Sequence, residues 1–202
     1  MTARGRALAA LMAGLILLLA GCDTAEIPAV QEWPLACENM SFELPASLAE
    51  NCARRGENGQ LLLRPEVLAL IEPGSAVQTL RVGDQWLFAL NGKMAPALAF
   101  DNGPDYFREG LARTQKNNRI GFVDESLEIV VETVWDFAFP FENGLAIVCS
   151  GCRQVKDGEH TSIEGGEWGY IDSSGVMLVK PVHSRDALPS APRRNPTGST
   201  NQ

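Results

Sequence analysis

The sharpest chemical feature of the chain is Cys149-Ser150-Gly151-Cys152. Two thiols at this spacing can bridge each other, supply half of a tetrahedral zinc site or act as a redox dithiol. A redox pair usually sits at a helix N-terminus, which lowers the pKa of its nucleophile. Here the apolar run Leu145-Ala146-Ile147-Val148 predicts a strand leading into a polar loop. The two histidines, His160 and His183, both lie downstream, and two thiolates with two imidazoles would satisfy zinc. The 22 residues between them are far from the about 3 to 5 of a finger-like site. The spacing therefore predicts a structural disulfide, with metal and redox roles as alternatives and no cofactor implied. Asp101-Asn102-Gly103-Pro104-Asp105 is rich in oxygen, yet it lacks the further carboxylates of a calcium loop and reads as a plain turn. Asp124 and Asp172 stand just before turns, where a carboxylate caps backbone N–H groups rather than serving as an acid/base couple. Trp86, Trp135, Trp168, Phe122, Phe137, Phe139 and Tyr170 could stack on a sugar, but a thin β-stack needs such rings to fill its layers, and core is the expectation. The sequence has no nucleophile elbow, P-loop, dinucleotide fingerprint or H-E-x-x-H motif.

The redox state of these cysteines depends on compartment. Arg4 and Arg6 precede an uncharged Leu- and Ala-rich run over residues 7–20, the pattern of a secretory signal. That run of 14 residues is short against the roughly 20 that span a bilayer as a helix. It closes on Leu19-Ala20-Gly21-Cys22, which resembles the lipobox of bacterial lipoproteins. The resemblance implies cleavage before Cys22, acylation of its thiol with chains such as palmitate, and stable membrane attachment at about 0.8 kcal/mol per buried methylene. Asp23 favours the periplasmic face of the inner membrane, with the outer membrane as the alternative. Setting Cys22 aside leaves Cys37, Cys52, Cys149 and Cys152, an even number in an oxidising compartment. Proximity along the chain favours Cys37 with Cys52 and Cys149 with Cys152 among the three pairings four cysteines allow. Without Arg4 and Arg6 the chain from Cys22 has 15 basic and 25 acidic residues, net −10 against −8 for the whole. So acidic a domain is a poor ligand for nucleic acid and for anionic head groups, which leaves the lipid as its membrane contact.

The elements that must position these residues repeat. At an offset of 34, Phe107-Arg108-Glu109-Gly110-Leu111-Ala112 falls on Phe141-Glu142-Asn143-Gly144-Leu145-Ala146, and Trp86-Leu87-Phe88 falls on Ile120-Gly121-Phe122. At an offset of 48, Ile120-Gly121-Phe122-Val123-Asp124 falls on Trp168-Gly169-Tyr170-Ile171-Asp172, the extra 14 residues being an insertion that holds Cys149 and Cys152. Each unit reads as a [W/I]-x-[F/Y] strand, a turn such as Asn91-Gly92 or Ser173-Ser174-Gly175, a second apolar strand (Val130-Val131, Met177-Leu178-Val179), then F-x-x-G-L-A opening a third. These motifs resemble the WG-repeat (β-repeat) family over about residues 80–183. Only Trp168-Gly169 keeps the defining dipeptide; Ile120-Gly121 lacks the Trp and Trp86-Leu87 lacks the Gly. The insertion resembles a form of the last WG unit with Cys-x-Gly-Cys-Arg, Glu-His and Gly-Gly-x-Trp-Gly, which offers Arg153, Glu159 and His160 as a binding edge.

The expectation is an all-β protein of short antiparallel three-stranded WG-type repeats with a lipid-anchored N-terminus and a disordered C-terminal tail. Its parts are a signal peptide (1–21), a tether (22–36), an N-terminal disulfide-pinned segment (37–79), the repeats (80–183) and the tail (184–202). Residues 47–51 suggest one helical turn, and the runs at 61–63 and 68–71 suit strand or short helix equally. The family has no common activity, so the resemblance implies a non-enzymatic cell-envelope lipoprotein whose repeats contact an envelope protein or peptidoglycan. The alternatives are a cell-wall-acting enzyme and a metal-binding or redox accessory protein using Cys149 and Cys152.

Overall fold

The computed structural model describes residues 33–192 except Asn39, Glu72, Pro73, Ser75, Asp101 and Glu159. Cys22, Asp23, the signal segment and most of the tether lie outside the described residues. An N-terminal lobe holds β1 (Cys37–Glu38), α1 (Ala46–Glu50), β2 (Ala53–Arg55), β3 (Leu61–Leu63) and α2 (Pro65–Leu70). Pro65 starts α2 where a missing N–H is harmless, so Leu61-Leu62-Leu63 is strand and Leu68-Ala69-Leu70 is helix. The sulfurs of Cys37 and Cys52 stand at bonding distance with Cα atoms 5.6 Å apart, inside a core with Val67, Leu80 and Val82. Closing 15 residues contributes about 3 kcal/mol.

Three antiparallel meanders follow, as the all-β expectation required. The first is β4 (Gln78–Val82), β5 (Gln85–Leu90) and β6 (Lys93–Ala97), with β1 added at its edge. A connection holding β7 (Ala99–Phe100) and β8 (Gly103–Pro104) leads to the second, β9 (Leu111–Lys116), β10 (Arg119–Asp124) and β11 (Ile129–Trp135). The third sheet is β12 (Phe137–Ala138), β13 (Leu145–Asp157), β14 (His160–Asp172) and β15 (Met177–His183).

The sheets do not follow the frame read from sequence. The F-x-x-G-L-A strand pairs with the W/I-x-F/Y strand that comes after it, β9 with β10 and β13 with β14. Local closure decides this. Glu109-Gly110 and Asn143-Gly144 all take positive φ, as two-residue type I′ turns require, and start each strand sharply. Asn117-Asn118, also at positive φ, then folds β9 straight back onto β10.

The glycine of the dipeptide has a definite job. A Cβ on Gly121 would come within 2.8 Å of Glu132 C and Thr133 N, and one on Gly169 within 2.9 Å of Pro181 N, both backbone atoms of the next strand. That strand is bulged at the same relative place in both sheets, between the partners of Ile120 and Phe122 and between those of Trp168 and Tyr170. Leu87 occupies the position in the first sheet, where the register with β6 is regular throughout. Asp124 and Asp172 act as the expected caps. Asp124 Oδ1 accepts from the N–H of Ser126 and Glu128 at 2.9 and 3.0 Å, and Asp172 Oδ1 from those of Ser174 and Val176 at the same distances.

Within the stretch expected to be a disordered tail, residues 184–192 are described. They form a 3₁₀ turn, Arg185–Ala187, flanked by extended Ser184 and Leu188, and then chain without regular structure. Arg185 places its guanidinium 5.2 Å from the Phe139 ring centroid and 5.3 Å from that of Trp168, which gives this segment a reason to stay on the third unit.

Candidate functional site

The polar loop expected after Val148 is a strand. β13 and β14 have 13 residues each where β9 and β10 have six, so the 14 inserted residues are seven on each arm of one hairpin. Successive strand residues face opposite ways, so side chains three apart should diverge. Gly151 at φ 75° breaks that alternation, and Gly165 and Gly166 across the ladder do the same at 68° and 72°. The Cys149 and Cys152 sulfurs consequently meet at bonding distance, with Cα atoms 6.2 Å apart. A Cβ on Gly166 would sit 2.7 Å from Cys152 Cβ, so the facing strand lies directly on the pair. Trp168 is fully buried beside it and donates its indole N–H to the Gly165 carbonyl at 2.9 Å. The Gly151 N–H donates to Asp136 Oδ2 at 2.6 Å, and Arg119 pairs with the other oxygen of that carboxylate at 2.8 Å, which ties the hairpin to the second sheet. The arrangement makes a structural clasp. Among the described residues no cluster of three or more His, Cys, Asp and Glu is gathered as a metal site.

Beyond the clasp the hairpin runs on as a two-stranded arm. Arg153 is largely exposed and lies 3.5 Å from Glu164 across the ladder. His160 begins β14 opposite Asp157, and Glu159 lies outside the described residues. Arg153 and His160 are thus on one arm. His183 is on β15, opposite Trp168 and away from the arm's tip.

The residues proposed for sugar stacking mostly fill the core, as the layer argument expects: Trp86, Trp135, Trp168 and Phe122 are buried. Asp105 is no calcium ligand either. It is buried with Arg113 in a two-pronged ion pair, Nε to Oδ2 and Nη2 to Oδ1 both at 2.9 Å. Arg113 also donates from Nη1 to the Ala138 carbonyl at 3.1 Å, which joins the second and third units.

The structure reveals a site the sequence motifs did not. Phe107, from the F-x-x-G-L-A after the first meander, packs on Phe88 with ring centroids 5.1 Å apart, with Val77 in the same cluster. Phe141 does the same to the second meander, 4.6 Å from Phe122 at 61°, with Leu111 in the cluster. The equivalent residues of the third meander are Leu145 and Tyr170, at the same relative positions in its ladder. They line an open groove of about 1070 Å³ together with Ile147, Phe139, Leu188 and Pro192. Arg108, Arg185 and Glu142 stand on its walls. The Arg108 guanidinium is held above its ordinary pKa by its hydrogen bond to the Tyr106 hydroxyl, and lies 4.9 Å from that ring's centroid. The signal that would have found the groove is the pairing of each F-x-x-G-L-A Phe with the aromatic of the preceding meander, and the absence of a third copy of that motif within residues 171–202.

Comparison with curated proteins and with solved structures gives no match. Among protein families, residues 120–151 match the one described as WG containing repeat. The matched stretch begins at Ile120 in β10, crosses β11 and β12, and ends at Gly151 in the clasp. It therefore covers one period in the frame of the sequence rather than one sheet, and over that period this chain is similar to the WG containing repeat.

Proposed function

We propose that the protein is a non-enzymatic interaction module of the bacterial cell envelope, held at the membrane by lipid on Cys22, with its β-meanders presenting a binding surface to an envelope protein or to peptidoglycan. The observation that carries this reading is the groove of about 1070 Å³ on the third meander. Its size is just above the about 300 to 1,000 Å³ of ligand sites, and an apolar floor with a few charged groups on the walls is their usual make-up. The lipobox at Cys22 and the acidic balance support the anchor, because a net −10 domain would be repelled by the lipid surface it stands beside.

The test is crosslinking in intact envelopes followed by identification of what is captured, alongside fractionation of a Cys22→Ser variant. Specific envelope partners and loss of the variant from the membrane fraction are the expected results. Turnover of muropeptides by the purified protein, abolished by Glu159→Gln or His160→Ala, would sink the non-enzymatic reading.

A further inference from the structure

Each of the first two meanders is closed by an aromatic ring from the chain that follows it. Val77 and Phe88 receive Phe107, and Leu111 and Phe122 receive Phe141. The third meander has Leu145 and Tyr170 at the equivalent positions, and residues 171–202 contain no F-x-x-G-L-A. Among the described residues the chain at 188–192 passes there; it leaves Leu145 and Tyr170 only 7 % and 8 % exposed at the floor, and the groove opens above them. We infer that this groove accepts an aromatic side chain on an extended, acidic segment of a partner protein, seated on Tyr170 as Phe141 is seated on Phe122; the inference rests on the interaction-module reading above.

The acidic character follows from what grips the segment. On the second meander Arg113 holds the incoming chain by donating to the Ala138 carbonyl. At the equivalent place the third meander has Ile147, which cannot donate. The charged donors lining this groove are Arg108 and Arg185, against the one carboxylate of Glu142. Guanidinium forks suit carboxylates, and Arg185 is steadied by the Phe139 and Trp168 rings. The volume exceeds what one aromatic side chain fills, so a stretch of chain rather than a lone residue is the occupant.

The probe is a capped, fluorescently labelled peptide copying residues 136–146 of this chain, Asp-Phe-Ala-Phe-Pro-Phe-Glu-Asn-Gly-Leu-Ala, which already fits an acceptor face and carries two acids. Fluorescence polarisation against the full chain in detergent should show saturable one-to-one binding that weakens with salt. Replacing by Ala the peptide Phe that copies Phe141 should weaken it at least about tenfold, as should Leu188→Glu or Arg185→Glu in the protein. Both variants lie on the groove wall outside the sheets; Ile147→Glu is the stronger variant, used where its melting curve shows it folded. Equal binding of the Phe and Ala peptides, no binding at about 1 mM, or binding indifferent to Leu188→Glu would overturn the inference. Self-association of the chain that Leu188→Glu abolishes would also overturn it, since the occupant would then be a second copy. Envelope crosslinks that survive Leu188→Glu would leave the module reading standing while this one falls. Absence of crosslinks in the unaltered chain would remove the module reading itself.

Discussion

The second and third meanders share a plan and solve it with different residues. Both carry the glycine that admits a bulged third strand, and both carry the aspartate that caps the following turn. They part at the joint with the preceding unit. The second meander meets the connection before it through the buried pair Asp105 and Arg113. At the same repeat positions the third has Phe139 and Ile147, joined by backbone hydrogen bonding from Phe139 N–H to the Ile147 carbonyl at 2.9 Å. One joint is ionic and the other apolar. The lesson is that the repeat specifies backbone geometry, while the chemistry filling each joint is free to vary provided it is complete.

The largest predicted effect breaks that completeness. Asp105→Ala removes the carboxylate from a guanidinium only 4 % exposed, and should destabilise the protein by about 3 to 5 kcal/mol in urea unfolding. The double variant Asp105→Phe with Arg113→Ile converts the joint to the third unit's chemistry, and replacing a buried pair by apolar groups is often neutral. It should recover most of the loss, less the lost bond to Ala138. A double variant as unstable as the single would show that the two joints are not interchangeable.

The shared bulge gives the next effect. Alanine at Gly121 or at Gly169 forces a methyl onto the backbone of the neighbouring strand, and each should lower stability by about 3 kcal/mol. Faster hydrogen exchange should be confined to β11 for the first and to β15 for the second. A change below about 0.5 kcal/mol at either, the size of an ordinary surface substitution, would mean the close approach is not what the glycine is for. Disulfide removal separates the units in the other direction. Cys149→Ser with Cys152→Ser opens a three-residue separation and should lose under about 2 kcal/mol, with the exchange change restricted to the arm, whereas Cys37→Ser with Cys52→Ser should lose about 3.

Much of this geometry was legible in the sequence because it is local. Asn91-Gly92 and Ser173-Ser174-Gly175 mark turns that exist, Asp124 and Asp172 cap as their positions before turns required, and the two cysteine pairs meet as proximity along the chain favoured. The frame of the sheets was missed because a period in sequence does not say where one sheet ends; the type I′ turns at Glu109-Gly110 and Asn143-Gly144 settle it. The polar stretch after Val148 passed for a loop because its glycines and charges lack alternating hydrophobicity, yet a two-stranded arm facing water on both sides needs none. Asp105 looked like part of a turn because its partner is eight residues away and nothing in either residue's type announces burial. The groove was hidden since it is defined by a ring that none of the described residues places there.

The smallest predicted effect concerns the turn after each capping aspartate, where the second meander has Leu127 and the third Gly175, both at positive φ, 59° and 82°. Leu127 costs about 1 kcal/mol in backbone strain, but it is 8 % exposed and packs with Ala95 in the first meander. Burial of a leucine side chain contributes about 1.5 to 3 kcal/mol, so packing wins and Leu127→Gly should destabilise by about 1 to 2 kcal/mol. Gly175 has the opposite neighbour: a Cβ there would lie 3.3 Å from Cγ2 of Val131, the larger residue that holds Ala95's place in the second meander. Small-with-large in one joint thus corresponds to large-with-small in the next. Ala95→Val should therefore rescue part of the loss in Leu127→Gly while being unfavourable alone, giving a coupling energy of about 1 kcal/mol in a double-mutant cycle. Additive effects within about 0.3 kcal/mol would show that the two turns were filled independently rather than as complementary halves of one stacking rule.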